Sequence, residues 1–210
     1  MELEKLLSLQ ERARAASYRF EKDRLGFATA RGLLRTILSH YLGTEASSIS
    51  FEYGTEGKPF LKNSSISFNV THSGNLAAYA VTGGPRDLGI DVEWIRPEPL
   101  RDQVPEQFFT RSEIGELQSL RREEIIPAFF RCWTRKEAFL KARGGGLTTP
   151  LDQFSVSLLP GHSAAILSCR IPGERRDWNL YDLTLPPGYC GALAVEGGEC
   201  EIKYCEMMNE

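Results

Sequence analysis

Asp91 and Glu93 stand two residues apart in the segment GIDVEWI (89–95), which alternates like a β-strand. Alternate residues of a strand face the same side, so Ile90, Val92 and Trp94 form one apolar face. The two carboxylates then share the other face, roughly 7 Å apart along the strand. Because neighbouring carboxylates repel each other, we expect either that solvent screens them or that a cation lies between them.

A third carboxylate, Glu137, lies in WTRKEAFLK (133–141), where a helix is expected, and Lys141 follows it by one turn. The two could form an ordinary helix ion pair worth roughly 0.3–0.5 kcal/mol. Alternatively, Glu137 completes a cation site with Asp91 and Glu93, and Lys141 contacts the anion that the cation holds. Three oxygen ligands without a nearby histidine or cysteine favour Mg²⁺ over zinc, and Mg²⁺ often keeps substrate phosphates as ligands. The second interpretation is therefore a site for a metal ion and phosphates.

The elements that must position these residues form two similar series. Residues from about 3 to 42 have a helical pattern, and strands are expected within 49–61, 65–83 and 88–95. Further helices are expected at about 111–121 and 123–143. The strands expected after them are 154–159, 164–171, 178–185, 189–197 and 201–207. Helix followed by strands, twice, predicts an α+β protein with two pseudo-symmetric halves, 1–95 and 96–210, each a small, mainly antiparallel sheet packed with a long helix.

Composition excludes several classes of protein. The 210 residues carry a formal net charge of −3, and 41% of them are hydrophobic, as in ordinary globular proteins. The mild acidity argues against a nucleic-acid partner, and no apolar run is long enough to span a membrane. The start of the chain has no signal-peptide pattern, so we expect a cytoplasmic, monomeric protein. The five cysteines form no C-x-x-C pair and are expected to be reduced.

Four motifs, in order along most of the chain, resemble the 4′-phosphopantetheinyl transferases of the type that activates surfactin synthetase. They are GKPFL (57–61), FNVTHSG (68–74), GIDVE (89–93) and WTRKEAFLK (133–141). The resemblance implies an enzyme that transfers 4′-phosphopantetheine from coenzyme A to a serine of an acyl or peptidyl carrier protein. It also implies Mg²⁺, with Mn²⁺ as a substitute, and 3′,5′-ADP as the second product.

The same resemblance implies roles for individual residues. Asp91, Glu93 and Glu137 would be the metal ligands, and Glu137 would also be the base for the acceptor serine. Lys141 would contact the pyrophosphate, which makes Glu137, Asp91 and Lys141 the expected catalytic set. The residues expected to bind coenzyme A are His72, Thr71 and Arg35 at its phosphates, Lys58 and Pro59 at the adenine, and Lys22 and Arg24 near the 3′-phosphate.

Two other functions remain open from the residues. One is a magnesium-dependent phosphohydrolase acting on a nucleotide-like pyrophosphate, and the other is a coenzyme A- or carrier-binding module without activity. For the transferase, an acidic carrier needs a local basic patch, because the chain itself is acidic overall. The residues expected to form that patch are Arg121, Arg122, Arg131, Arg135, Lys136, Lys141 and Arg143.

Overall fold

A computed structural model describes residues 2–101, 103–145 and 149–206. The helices in these ranges are α1 (Glu2–Lys5), α2 (Leu9–Ala16), α3 (Glu21–Leu42), α4 (Glu98–Arg101), α5 (Val104–Phe108), α6 (Arg111–Ser119) and α7 (Arg122–Arg143). The strands are β1 (Glu52–Tyr53), β2 (Pro59–Phe60), β3 (Ile66–Ser73), β4 (Leu76–Gly83), β5 (Leu88–Trp94), β6 (Phe154–Val156), β7 (Ile166–Cys169), β8 (Trp178–Asp182) and β9 (Tyr189–Glu196). In the same ranges no helix has both the length and the apolarity that a membrane span requires.

The strands of the described residues form small antiparallel sheets. β1 pairs with β2, β3 with β4, and β6 with β7, while β9 lies between β5 and β8. Each half of the chain contributes one helix of 22 residues, α3 or α7. The expected α+β class is therefore confirmed. Because β5 of the first half pairs with β9 of the second, the predicted boundary at 95/96 divides the chain but does not separate two sheets.

β3 and β5 are joined by side chains. The hydrogen bonds between them run from Ile90 N–H to Asn69 Oδ1 (2.9 Å), from Val92 N–H to Thr71 Oγ1 (3.4 Å) and from Trp94 N–H to Ser73 Oγ (3.0 Å). Each pair is separated by 21 positions, so the two strands run parallel in a fixed register. We call this contact the β3–β5 seam. It connects the β3–β4 sheet to the three-stranded sheet.

The long helix α7 is the centre of the larger hydrophobic core. Phe129, Phe130 and Phe139 on this helix are almost completely buried and pack against strands of the second half. A buried ion pair also crosses this core, because Lys136 Nζ lies 2.9 Å from Glu113 Oε2 on α6. Glu113 accepts a further hydrogen bond from the Val156 N–H of β6, at 2.9 Å. These polar contacts fix α6, α7 and β6 relative to one another.

The region expected to be helical from about 3 to 42 is helical over most of its length, but the structure divides it into three helices. α2 begins at a capping box in which Ser8 and Glu11 satisfy each other's backbone N–H groups. Glu11 also forms a buried ion pair with Arg35 on α3, with 2.8 Å between Oε2 and Nη2. The Ser8 capping box starts α2 as a helix separate from α1, and the break at 17–20 lets α2 fold back onto α3.

The strand expected at 201–207 is wrong for its described part. Residues 201–206 have no strand hydrogen bonding, and Met207 lies outside the described residues. Ile202 packs on the core cluster of β5 and β9, and the Tyr204 hydroxyl accepts a hydrogen bond from Thr184 N–H at 3.1 Å. Side-chain contacts therefore hold this alternating segment.

Gly89 allows β5 and α7 to approach closely. A Cβ atom at this position would collide with the backbone of α7 at Ala138 O and Ala142 N. Helix backbone cannot shift locally as a flexible side chain can, so the clash would push α7 away from β5. The contact matters for the site because Glu137 and Lys141 stand directly next to these two alanines in the sequence.

We expect Gly89→Ala to lower the free energy of unfolding by about 2 kcal/mol or more, as overpacking does in a tight contact. Gly83→Ala is the matched control, because a Cβ atom there at the end of β4 meets nothing within 4 Å. Urea denaturation of both variants measures the difference. Equal stabilities for the two variants would contradict the assigned role of Gly89.

Candidate functional site

An open cavity of about 370 Å³ lies over the β3–β5 seam, under one face of α7. Three elements line it: the lining residues are Val70, Thr71 and His72 from β3, Asp91 and Glu93 from β5, and Trp133, Glu137 and Lys141 from α7. The structure thus brings together the three predicted metal ligands, Lys141, and two of the residues predicted to hold coenzyme A phosphates. Residues far apart in the sequence meet here because the seam aligns β3 with β5.

Lys141 bridges the two strands at the floor of the cavity. Its Nζ lies 2.6 Å from Asp91 Oδ1 and 3.2 Å from Thr71 Oγ1. Thr71 also donates to Asp91 Oδ1 at 3.3 Å. The partner of Lys141 in the structure is thus Asp91, and the simple ion pair with Glu137 considered from the sequence is not formed among the described contacts. Lys141 is about one-third exposed, so its ammonium group remains accessible from the cavity.

Burial changes the acidity of two of the three carboxylates. Burial raises the pKa of Asp91 to about 7, although the neighbouring Lys141 acts in the opposite direction. Burial also raises the pKa of Glu137, again opposed by Lys141 and reinforced by the negative charge of Glu93. Both groups therefore hold protons more tightly than exposed carboxyls, and a cation placed among them would favour their ionised forms.

Glu93 is half-buried and held by a different partner. Ser73 Oγ donates to Glu93 Oε2 at 2.8 Å, from the end of β3. The distance is that of a well-formed hydrogen bond between a hydroxyl and an oxygen. Glu93 thus enters the cavity with one of its oxygens fixed by the seam.

Two buried carboxylate oxygens in this cavity have no hydrogen-bond partner, namely Asp91 Oδ2 and Glu137 Oε1. An unpaired buried oxygen is costly, and such atoms in native proteins usually meet a donor, a water or an ion. Carboxylate oxygens are also the ligands that Mg²⁺ binds. The donor set fits a divalent cation on these grounds, although no three His, Cys, Asp or Glu side chains in the described ranges already stand in a closed metal-binding arrangement.

Arg35 does not belong to this cavity, and the prediction that it holds a coenzyme A phosphate needs correction. Its side chain is 1% exposed and its guanidinium is fully engaged inside the first half. Besides Glu11, it donates to the carbonyl oxygens of Ala46 and Ile49, each at 2.8 Å. The charge of Arg35 is thus used to hold α2 and the loop after α3.

The other predicted coenzyme A residues lie outside the cavity lining. Lys22 is exposed in the first turn of α3, and Arg24 pairs with Glu4 at 3.1 Å. Pro59 is part of β2, and Lys58 precedes it. The Lys58 ammonium donates to the carbonyl oxygens of Leu88 at 2.9 Å and Ala142 at 3.0 Å.

Lys58 therefore links the β1–β2 hairpin to both β5 and α7. Burial lowers its pKa, while the charge of Asp87 acts in the opposite direction. The side chain is thus committed to backbone carbonyls, which leaves only the backbone of this segment for an adenine ring, as the resemblance implies.

The basic stretch between Arg121 and Arg143 is not the exposed patch that was expected. Arg135 and Lys136 are completely buried, and Arg143 pairs with Glu174 at 2.6 Å. Of the seven basic residues, the structure leaves Arg121 and Arg122 exposed, and Arg121 already pairs with Glu124. Helical periodicity distributes these side chains around α7, so their density in the sequence does not produce a basic surface.

Two residues of the site were not identified from the sequence. Trp133 stacks on Phe129 with 6.0 Å between ring centroids, and it also lines the cavity. Ser73 was not considered. Its signal is the polar alternation of Asn69, Thr71 and Ser73 along β3, which indicates one polar strand face directed at another element.

Comparisons with known proteins agree on one family. A model described as the 4′-phosphopantetheinyl transferase superfamily matches residues 87–194, and one described as 4′-phosphopantetheinyl transferase, N-terminal, matches residues 2–83. The 4′-phosphopantetheinyl transferase HetI of Nostoc sp. is 37% identical over 202 residues, which cover 94% of this chain and 82% of HetI. The 4′-phosphopantetheinyl transferase Sfp of Bacillus subtilis is 30% identical, over 78% of this chain and 70% of Sfp.

Among solved structures, an ACPS–CoA complex of Chronobacterium ammoniagenes is similar with a TM-score of 0.40 and 18% identity. The similarity covers 55% of this chain and 98% of that chain.

Proposed function

This chain belongs to the 4′-phosphopantetheinyl transferase superfamily, and we propose that the cavity at the β3–β5 seam is its active site. The reaction is transfer of the 4′-phosphopantetheine group from coenzyme A to a serine of an acyl or peptidyl carrier protein. The observation that carries the proposal is the meeting, in one cavity, of three carboxylates and Lys141 from the two motifs that resemble the family signature.

The reaction exchanges one bond to phosphorus for another. The serine hydroxyl oxygen of the carrier attacks the β-phosphorus of coenzyme A, and the bond from this phosphorus to the bridging oxygen breaks. The products are the holo-carrier, with a phosphodiester at its serine, and 3′,5′-ADP, which keeps the bridging oxygen. One proton leaves the serine. Such a reaction needs oriented reactants, neutralised phosphate oxygens and a base.

The residues of the cavity divide these tasks. Asp91, Glu93 and Glu137 would hold Mg²⁺, which when bound neutralises charge on the pyrophosphate oxygens. Lys141 is placed to donate from the cavity floor to the same oxygens, and His72 provides a further donor along β3. The hydroxyl proton of Thr71 is already donated to Asp91, so Thr71 lines the site and orients that carboxylate. The nucleotide of coenzyme A would extend outside this cavity. Its expected contacts there are Lys58, Pro59, Lys22 and Arg24.

Glu137 is the base of the proposed mechanism. Burial raises the pKa of the Glu137 carboxyl in the metal-free protein, and a bound cation would favour its ionised form, which is the form that accepts a proton. A carboxylate has two oxygens, so one oxygen of Glu137 can ligate the cation while the other receives the proton of the carrier serine. Glu137 also lies next to Lys141 along the helix, so the base and the phosphate contact belong to one rigid element.

The decisive experiment is incubation of the protein with coenzyme A, Mg²⁺ and a set of apo-carrier proteins, followed by intact mass analysis. A carrier that gains one phosphopantetheine group supports transfer. Cleavage of coenzyme A in the absence of any carrier would instead support the phosphohydrolase alternative, and binding without either reaction would support the module without activity. Cytoplasmic location and a monomeric state remain predictions.

Metal removal should abolish the reaction. We expect excess EDTA to lower the rate of transfer by about 100-fold or more, because charge on the pyrophosphate would be left without its main counter-charge. Added Mg²⁺ should restore the rate, and Mn²⁺ should restore part of it. Intact mass measured against time gives the rates, and full activity in EDTA would exclude the proposed metal role of the three carboxylates.

A further inference from the structure

Ser73 stands at the end of β3, beside the cavity, and has no task in the chemistry described so far. Its side chain is buried, and its hydroxyl oxygen makes two contacts with β5. The oxygen lies 3.0 Å from the Trp94 nitrogen and 2.8 Å from Glu93 Oε2. One hydroxyl thus bridges a backbone amide and the carboxylate of the residue before it.

The direction of these two hydrogen bonds is fixed by chemistry. A serine hydroxyl has one proton to donate and two lone pairs that accept. The Trp94 N–H can only donate, so it occupies a lone pair of Ser73 and leaves the hydroxyl proton for Glu93. The Glu93 carboxylate accepts this proton at 2.8 Å, an ordinary length for a hydroxyl donating to an oxygen.

We propose that Ser73 is a positioning residue for Glu93, holding its Oε2 so that the carboxylate is presented to the cation of the active site. The inference rests on the proposed function, because it takes Glu93 as a metal ligand. Ser73 itself touches neither substrate nor cation. Through its two hydrogen bonds, Ser73 on β3 links the Glu93 carboxylate to the Trp94 backbone amide of β5.

The same arrangement occurs two residues earlier along the seam. Thr71 Oγ1 receives the Val92 N–H at 3.4 Å and lies 3.3 Å from Asp91 Oδ1. In both places a hydroxyl on β3 accepts an amide of β5 and donates to the acid that precedes this amide. The repeat follows from the parallel register of the seam, so both acids of the GIDVE motif are oriented by one strand.

The two hydroxyls differ in their remaining contacts. Thr71 also receives a hydrogen bond from Lys141, at 3.2 Å, so a change at Thr71 disturbs several groups at once. Ser73 is the cleaner position for a test, because its contacts are the Trp94 amide and Glu93. Hydrogen-bonding partners of metal ligands commonly contribute a factor of about 10–100 to metal affinity.

The test measures Mn²⁺ binding to the protein with saturating coenzyme A and no carrier, so that no transfer occurs. The paramagnetic resonance signal of free Mn²⁺ gives the affinity. We expect Ser73→Ala to weaken Mn²⁺ binding by about 10–100-fold. Ser73→Thr keeps the hydroxyl in a residue type that suits a strand, and should restore most of the affinity.

Ser155→Ala is the matched control. Ser155 is also a buried strand serine, 6% exposed, and its hydroxyl lies 2.7 Å from that of Ser168, its cross-strand partner in the β6–β7 sheet. This variant should lose some thermal stability and keep the Mn²⁺ affinity of the wild type. If circular dichroism shows that Ser73→Ala is unfolded, Ser73→Cys replaces it, because a thiol has a similar shape and is a weaker donor. Ser73→Cys should also weaken Mn²⁺ binding.

Unchanged Mn²⁺ affinity in the folded Ser73 variant would overturn the inference, as would an equal loss in Ser155→Ala or the absence of saturable Mn²⁺ binding by the wild type. The carrier assay on the wild type distinguishes failure of this inference from failure of the proposed function. Failure of the wild type to modify any carrier counts against the function, whereas normal modification with an unaffected Ser73 variant counts against the role of Ser73 alone.

Discussion

Glu137→Gln is expected to lower kcat for carrier modification by about 10²–10⁴-fold, the range over which a general base contributes. Glutamine keeps the size and hydrogen-bonding capacity of the side chain, so the fold and the contacts of α7 should remain. It cannot accept the serine proton, and its neutral oxygen is a weaker metal ligand. Binding of coenzyme A measured by calorimetry should change much less than kcat, since the phosphate contacts are made by other residues.

Glu123→Gln is the control for this variant, because Glu123 lies on the same helix with a side chain that is 67% exposed. It should retain the activity of the wild type. Retention of more than a tenth of the wild-type kcat by Glu137→Gln would exclude it as the base. A loss of activity that high Mg²⁺ fully repairs would show that Glu137 acts only as a ligand.

Much of the site could be predicted because its residues obey simple periodicities. The two acids of β5 share a face since they are two positions apart in a strand, and Glu137 and Lys141 share a face since they are one helical turn apart. The cavity contains all four. The parallel register that sets β3 beside β5, by contrast, depends on side-chain hydrogen bonds between strands that the sequence places 21 residues apart.

The basic residues show the limit of reasoning from the sequence. Arg35, Arg135 and Lys136 have the charges that suit a phosphate or an acidic partner, and a composition argument favours exposed positions for them. Each is instead buried and paired with a carboxylate: Arg35 with Glu11, Arg135 with the half-exposed Asp182, and Lys136 with Glu113. Tertiary contacts decide which basic side chains form ion pairs within the protein. Neither the density of charges in the sequence nor the helical period predicts these contacts.

Ionisation of Asp91 is unfavourable in the folded, metal-free protein. Its pKa rises from an ordinary value of 3.8 to about 7 because the carboxyl group is buried. Between these values the folded state binds more protons than the unfolded state. The free energy of unfolding contributed by this group therefore falls as pH increases from about 4 to about 7, and the loss is complete above pH 7.

Asp91→Asn is accordingly expected to be more stable than the wild type in metal-free buffer at pH 8, and to lose nearly all transferase activity. Asparagine is neutral at every pH and can still accept from Lys141 and Thr71, so it avoids the cost of a buried charge. The stability advantage over the wild type should grow by about 2 kcal/mol between pH 5 and pH 8, given about 1.4 kcal/mol per unit of pKa shift.

Urea unfolding in EDTA at the two pH values measures this stability advantage. Asp152→Asn, at an exposed aspartate, is the control for removing one negative charge. An advantage independent of pH would show that Asp91 titrates as an ordinary aspartate. A pH-dependent advantage together with lost activity would show that the chain keeps an unfavourable charge at this position because a bound cation requires it.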